Sequence, residues 1–273
     1  MAIDMDKAID LRGECGHFRV LIIGRANAGK TTLLKKVCNS IEDPEIYSPE
    51  GEKIEASIVE GSAERGLHDI ENQLIFKSNP QFIFHDSRGF ESGSVDETDK
   101  VKAFITERAE SNSLAEQLHA IWYCLPPDKD RPILKADEEF FGTYGTGKVP
   151  VIAIFTKFDG LITEAYTELK DEGLTKKEAL DNQVERAEDL LETRFRKPLS
   201  KAKFPPSDYV RLDDMRQDIS SCNELIATTA NALTDDRLRL LFVSVQQNNI
   251  DVCIEYALRQ GEETININGV CIS

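Results

Sequence analysis

Residues 18–31 constrain this chain more than any other stretch. Phe18–Ile23 is a short apolar run containing β-branched residues, the pattern of a buried strand. It leads into Gly24-Arg25-Ala26-Asn27-Ala28-Gly29-Lys30-Thr31, an ungapped G-x-x-x-x-G-K-[ST], and Thr32 to Val37 then reads as the start of a helix. In a strand–loop–helix setting the two glycines let the backbone wrap closely, so that consecutive amides and a helix N-terminus point at phosphate oxygens. Lys30 supplies a point charge to the β- and γ-phosphates, and the Thr31 hydroxyl is placed to ligate Mg²⁺. Gly24, Arg25, Ala26, Asn27, Ala28, Gly29, Lys30, Thr31 and Thr32 are therefore expected to bind nucleotide phosphates.

Two further strands end in chemistry. Residues 69–78 read as an edge strand, Asn79-Pro80 as a turn, and Gln81–His85 as the return strand delivering Asp86-Ser87-Arg88-Gly89. An Asp at the end of a strand beside the phosphate loop can hold Mg²⁺ through water, and Gly89 can offer its N–H to a γ-phosphate. Ala120–Leu125 is another buried strand. Val149–Phe155 is the next, and it ends in Thr156-Lys157-Phe158-Asp159, an [NT]-K-x-D tetrapeptide. The Asp159 carboxylate can accept from both the ring N–H and the exocyclic amine of guanine, whereas adenine would leave it unpaired. The Lys157 stem would cover the face of the base.

The remaining segments organise around these. Residues 40–66, rich in Glu, Pro, Ser and Gly, read as a long mobile loop. Residues 175–196 place Ala179, Leu180, Val184, Ala187, Leu191 and Phe195 on one face of a core-docking helix, and 197–206 form a proline-containing linker. Asp208–Leu212 is the last strand, with Asp213-Asp214-Met215 beside the base and a helix over 222–233. A rival for that role is 241–245, where Ser244 would back the base. On the preferred reading 235–259 is an amphipathic helix whose apolar positions include Leu238, Leu241, Phe242, Val245, Val252 and Leu258.

Composition narrows the function classes. A formal net charge of −16 opposes general nucleic-acid binding. The six cysteines are scattered without a C-x-x-C pair, which suits buried, reduced thiols. Met1-Ala2-Ile3-Asp4 is neither a signal peptide nor a myristoylation start, and Cys271 misses the prenylation position by one residue. No apolar stretch approaches the ~20 residues of a membrane span, so no integral membrane contact is expected and a cytoplasmic location is. His17, His68, His85 and His119 lack metal-ligand spacing.

GRANAGKT, DSRG and TKFD, in that order and at the ends of successive strands, resemble the translation-factor-related class of P-loop GTPases, with the Era-like, septin and immunity-associated branches nearest. Residues 65–71 (RGLHDIE) and 84–90 (FHDSRGF) are similar to uncharacterised fungal G-domain-containing proteins. The resemblance implies a three-layer α/β/α sandwich with a mostly parallel sheet and one antiparallel strand. It divides the chain into a polar lead-in (1–16), a G domain (17–234) and a C-terminal helical extension (235–273). It implies binding of GTP and GDP and hydrolysis of GTP with Mg²⁺ held by Thr31, Asp86 and a first-switch residue. Lys30, Thr31 and Gly89 would form the catalytic set, and Asp213 would back the guanine.

Departures from that pattern raise alternatives. No threonine lies between Leu33 and Glu97, so Ser62 is the expected first-switch ligand, with Ser57 and Ser48 as fallbacks. Phe90 follows Gly89 where small signalling GTPases carry a water-positioning glutamine; His68 and Arg65 are substitute candidates. Asn27 matches the asparagine with which potassium-activated Era-like GTPases hold K⁺, a second candidate cofactor. An activating protein or a homodimer would serve the same need. Two rival readings are a septin-like or immunity-associated-like assembly protein with negligible turnover, and a small-molecule P-loop kinase or ATPase.

Overall fold

The structure, a computed structural model, describes residues 11, 13–54, 69–87, 95–127, 132–215, 217 and 221–246. Eight strands form one sheet: β1 (Phe18–Gly24), β2 (Glu45–Tyr47), β3 (Lys53–Ile54), β4 (Gln73–Phe76), β5 (Asn79–Asp86), β6 (Ala120–Leu125), β7 (Val151–Phe155) and β8 (Asp208–Arg211). Their spatial order is β3-β2-β4-β5-β1-β6-β7-β8. β5, β1, β6, β7 and β8 pair in parallel, while β4 runs against β5. The helices are α1 (Lys30–Val37), α2 (Val95–Ala109), α3 (Lys135–Thr143), α4 (Phe158–Asp171), α5 (Lys176–Leu191), α6 (Lys197–Ser200), α7 (Asn223–Ala232) and α8 (Asp236–Ser244).

Strict alternation along the central strands builds two cores. Phe18, Val20 and Ile22 of β1, with Trp122 of β6 and Ile152 and Ile154 of β7, meet α1, α7 and α8 on one face. Leu21 and Ile23, with Tyr123, Ala153 and Phe155, meet α2, α3, α4 and α5 on the other. Strands covered on both faces read as continuous apolar runs, which is why they were visible in the sequence. The expected three-layer α/β/α sandwich is therefore what the chain forms. Trp122 buries its indole against α7, where Nε1–H donates to the Thr229 hydroxyl at 3.1 Å.

Several local expectations need correction. The expected loop over 40–66 contains a hairpin: Ser48-Pro49-Glu50-Gly51 turns with Gly51 N–H on Ser48 O at 2.9 Å and Gly51 at φ 84°. Its strands β2 and β3 pair Ile46 with Ile54, and β2 also pairs with β4 through Ile46 and Leu74, so β4 is interior and β3 is a second reversed strand, at the edge. Ser48 belongs to that outermost turn; the rest of the expected loop, with Ser57, Ser62 and Arg65, lies outside the described residues, as does His68. The hairpin before Asp86 turns at Lys77-Ser78, because Phe76 already pairs with Asn79; Pro80 sits inside β5 beside a register irregularity.

The helical expectations shift too. On α5, Ala179, Ala187, Leu190 and Leu191 face the core, whereas Leu180 and Val184 stand 46% and 47% exposed. The last residues of the expected 175–196 helix, Glu192–Arg196, form one π turn, with Lys197 N–H bonded to Glu192 O, and α6 carries the helix into the first four residues of the expected 197–206 linker. Pro198 explains the turn, since it lacks the N–H for the Arg194 carbonyl and its ring crowds that oxygen. The 241–245 segment is helical, which removes the rival strand. Phe242 of α8 packs on Phe18 with ring centroids 4.6 Å apart. The 235–259 helix is described only as α8, with residues 247–273 outside the described set. Leu11 and Cys15, in the expected polar lead-in, are buried in the same core, brought to one side by the Cys15 N–H to Leu11 O bond of 2.8 Å.

The buried polar groups near the start of β1 predict an acid-sensitive fold. Arg19 donates to His85 Nε2 at 2.8 Å, and His85 Nδ1–H donates to Ile70 O at 2.7 Å. The Arg19 backbone N–H donates to His119 Nδ1 at 2.9 Å, and His119 Nε2–H donates to Leu114 O at 2.9 Å. Each imidazole is thus satisfied only when neutral. Burial, reinforced by Arg19, pushes His85 down to about 3; burial first, then Arg19 and His17, pushes His119 to about 4. The unfolded chain takes up both protons near the ordinary value of 6.5 while the folded chain refuses them. Stability is therefore complete above that value and falls as pH drops below it, by roughly 1.4 kcal/mol per pH unit for each imidazole. Urea midpoints compared at neutral and mildly acid pH check this; a midpoint indifferent to pH would mean that the folded state accepts the protons.

Candidate functional site

The candidate site lies along the C-terminal ends of the parallel strands, where an open α/β sheet places its ligands. β1 ends at Gly24, whose φ of 156° is foreign to residues with a side chain. A Cβ here would come within 2.6 Å of the Cys124 carbonyl oxygen on β6. The loop then passes through Asn27 at φ 59° and Gly29 at φ 83°, with Ala28 N–H closing on Arg25 O at 3.1 Å. Gly29 is the N-cap of α1. No side chain caps that helix, and no acidic residue occupies its first turn. Its leading amides and positive dipole end are left for an anion.

Lys30 folds back over the loop, donating from Nζ to Gly24 O at 3.1 Å and Arg25 O at 3.4 Å. Its ammonium stands 3.6 Å from Asp86 Oδ1. Asp86 ends β5, paired in register with Ile22, two residues short of Gly24. Burial pushes its carboxyl up to about 6 although Lys30 draws it down. Oδ1 is buried and has no hydrogen-bond donor among the described residues, its one neighbouring charge there being the Lys30 ammonium, so it has capacity to take a metal cation beside the phosphate loop. Thr31 is exposed at the start of α1 and Thr32 half-buried. Asp86 and Thr31 fit the hard oxygen donors that Mg²⁺ prefers. Asn27 is exposed and makes no hydrogen bond among the described residues; its positive φ is the conformation asparagine tolerates best after glycine. Gly89 and Phe90 lie outside the described residues.

Two strands away, β7 ends at the T-K-F-D turn. Thr156 is buried, and Phe158 is fully buried beneath the Arg211 guanidinium, 4.4 Å from its ring centroid. That anchor leaves its neighbours Lys157 (φ 56°) and Asp159 exposed on the ligand side. The turn is bonded to the β8 loop through Phe158 N–H to Leu212 O at 3.3 Å and Asp214 N–H to Asp159 Oδ1 at 3.3 Å. The β8 loop thus reaches Asp159 through the Asp214 backbone. Asp213 pairs instead with Arg211 Nε at 3.3 Å, its carboxyl raised by burial and lowered by Arg211. Asp214 has a φ of 34°, which a D-D turn signals only weakly.

Arg25 differs most from expectation. Its backbone belongs to the phosphate loop, but its side chain is buried and turns to α3, bonding Asp137 Oδ2 at 2.9 Å and Pro132 O at 3.1 Å. Asp137, which Arg25 meets across the core, and Tyr123, which donates to Asp137, carried no local signal of a link to the loop. The chain matches no protein-family model and no curated protein. No helix among the described residues is long and apolar enough to cross a membrane.

The two loop glycines should respond differently to a methyl group. Gly24→Ala meets the Cys124 carbonyl and should cost about 2–4 kcal/mol. Gly29→Ala has open space around the new atom and should cost only about 1 kcal/mol, for its positive φ. Urea unfolding of the two variants measures the gap; equal losses would mean that the contact with β6 is not what demands Gly24.

Proposed function

We propose that the chain binds GTP and GDP and hydrolyses GTP, acting as a nucleotide-dependent switch. The observation that carries this reading is one of placement. The uncapped α1 with Lys30, Asp86 with its Oδ1 free of hydrogen bonds among the described residues, and the exposed pair Lys157 and Asp159 stand at the ends of β1, β5 and β7, parallel strands of one mostly parallel sheet. The loop amides and Lys30 hold the β- and γ-phosphates, Lys157 covers the base, and Asp159 accepts the two guanine N–H groups. Bound Mg²⁺, held by Thr31 and Asp86, would neutralise charge on the phosphate oxygens. In-line attack of water on the γ-phosphorus breaks its bond to the β,γ-bridging oxygen and yields GDP and phosphate. Lys30 and the loop amides stabilise the negative charge that spreads in the transition state.

Lys30→Ala should abolish measurable triphosphate binding and turnover while the chain still folds, at a cost of about 2–4 kcal/mol for its two backbone bonds and its pairing with Asp86. Asp159→Asn should weaken GTP by roughly 10⁴-fold and improve xanthosine triphosphate, which presents a carbonyl where guanine carries its amine. Competition titration and identification of the nucleotide that co-purifies with the chain check both. Wild-type protein that binds ATP as tightly as GTP would overturn the guanine assignment, and a ligand-free protein that binds neither would overturn the phosphate site.

A further inference from the structure

We infer that Asp137 on α3 is a positioning residue for the phosphate loop, acting through Arg25. The inference rests on the phosphate-binding reading above. Between Gly24 and Gly29 the loop is Gly-Arg-Ala-Asn-Ala-Gly, so Arg25 carries its only long side chain. The Arg25 carbonyl accepts from Ala28 N–H and from Lys30 Nζ, so its backbone sits at the hub of the turn. From that hub the guanidinium reaches α3, and the ion pair is nearly sealed from solvent, with side chains 6% and 2% exposed.

The carboxylate is itself held from two other directions. Oδ1 accepts from the Tyr123 hydroxyl at 2.8 Å, and Oδ2 accepts from the Leu134 backbone N–H at 2.8 Å. Tyr123 lies on β6, paired in register with Ile23 of β1, and burial and the adjacent carboxylate keep its hydroxyl protonated as a donor. The loop hub, the neighbouring strand and the start of α3 therefore converge on one buried group. A buried ion pair is a poor device for stability alone, because apolar residues of the same volume serve as well or better. What it adds is direction: a guanidinium held at two acceptors fixes where the Arg25 backbone, and with it the run of amides after it, can sit. Ala26 and Asn27 are exposed and offer no comparable anchor.

The test uses the full chain and labelled GDP. Asp137→Asn preserves shape but removes the charge, and should speed GDP release by about 10- to 100-fold, the scale of a displaced but intact site. The preference for GTP over ATP should not change, because the base contacts are untouched. Tyr123→Phe, which withdraws one donor and keeps the ion pair, should give a smaller increase in the same direction, and it reads the proposal should Asp137→Asn fail to fold. The decisive variant is Arg25→Met with Asp137→Leu, an apolar pair expected to recover the melting temperature without recovering slow release. Recovery of both, or wild-type release from Asp137→Asn, would overturn the proposal and leave the pair a packing feature. Amide hydrogen exchange of residues 25–30 in nucleotide-free protein separates this from the binding reading. Faster exchange in Asp137→Asn supports the positioning role even if the wild type binds no guanine nucleotide; unchanged exchange overturns it.

Discussion

Where β1 ends, the backbone of Gly24 lies against the Cys124 carbonyl at a separation that admits no side chain. This contact makes the strand turn off the sheet at a fixed point, and much else follows from it. The turn must pass through left-handed positions at Asn27 and Gly29 before the chain can start α1. A helix started from glycine has no side-chain cap, so its first amides stay open. The same close packing of β1 on β6 brings Tyr123 beneath the loop, where it supports the Asp137 carboxylate that receives Arg25. A steric limit at one residue thus determines the direction of a helix, the availability of its dipole and the course of an ion pair.

The central sheet was legible because its information is local. Continuous apolar runs ending in Gly24, Asp86 and Thr156 identify strands, and their polar ends identify the sheet edge that carries chemistry. The choice of Asp208–Leu212 over 241–245 as the last strand also followed from strand–helix alternation; β8 occupies Asp208–Arg211, and the helix α8 bears the choice out. What escaped was long-range or cumulative. β2 and β3 are too short to show periodicity, and only Pro49 and Gly51 marked their turn. Leu11 and Cys15 read as part of a polar segment because Asp10, Arg12 and Glu14 are interleaved with them in the sequence, yet four residues apart they form one face. Pro198 argued for a break, but a π turn accommodates it within a continuing helix.

The missed partner of Arg25 belongs to a different class. Asp137 is 112 residues away in the chain and resembles any acid in a first helical turn, where it also bonds the Leu134 N–H. Nothing in the local pattern separates a helix-start acid from a buried anchor; only the arrival of the loop at α3 does so. By the same reasoning Asp213 was the conspicuous residue in the β8 loop, while the bond to Asp159 comes from the backbone of Asp214, a group every residue possesses. Side-chain identity predicts side-chain chemistry well and backbone contributions poorly.

Electrostatics draws these features together. On the reading proposed above, a chain of net charge −16 holds a polyanion. Long-range attraction cannot hold it, since at physiological salt the field of distant surface charges is screened within ~8 Å. The binding energy must come from groups close to the phosphates and shielded from water. Arg25 is not one of them, because its charge is neutralised at 2.9 Å by Asp137 inside the core. That leaves Lys30, the uncapped amides of α1 and the cation that Asp86 would hold with Thr31. The neutralisation also has a benefit: an unpaired arginine at that position would compete with the loop amides for any anion and pull the loop out of shape. Directed into α3, the same arginine orders the loop while its charge stays out of the site, so that recognition depends on the geometry of backbone amides more than on the number of positive charges.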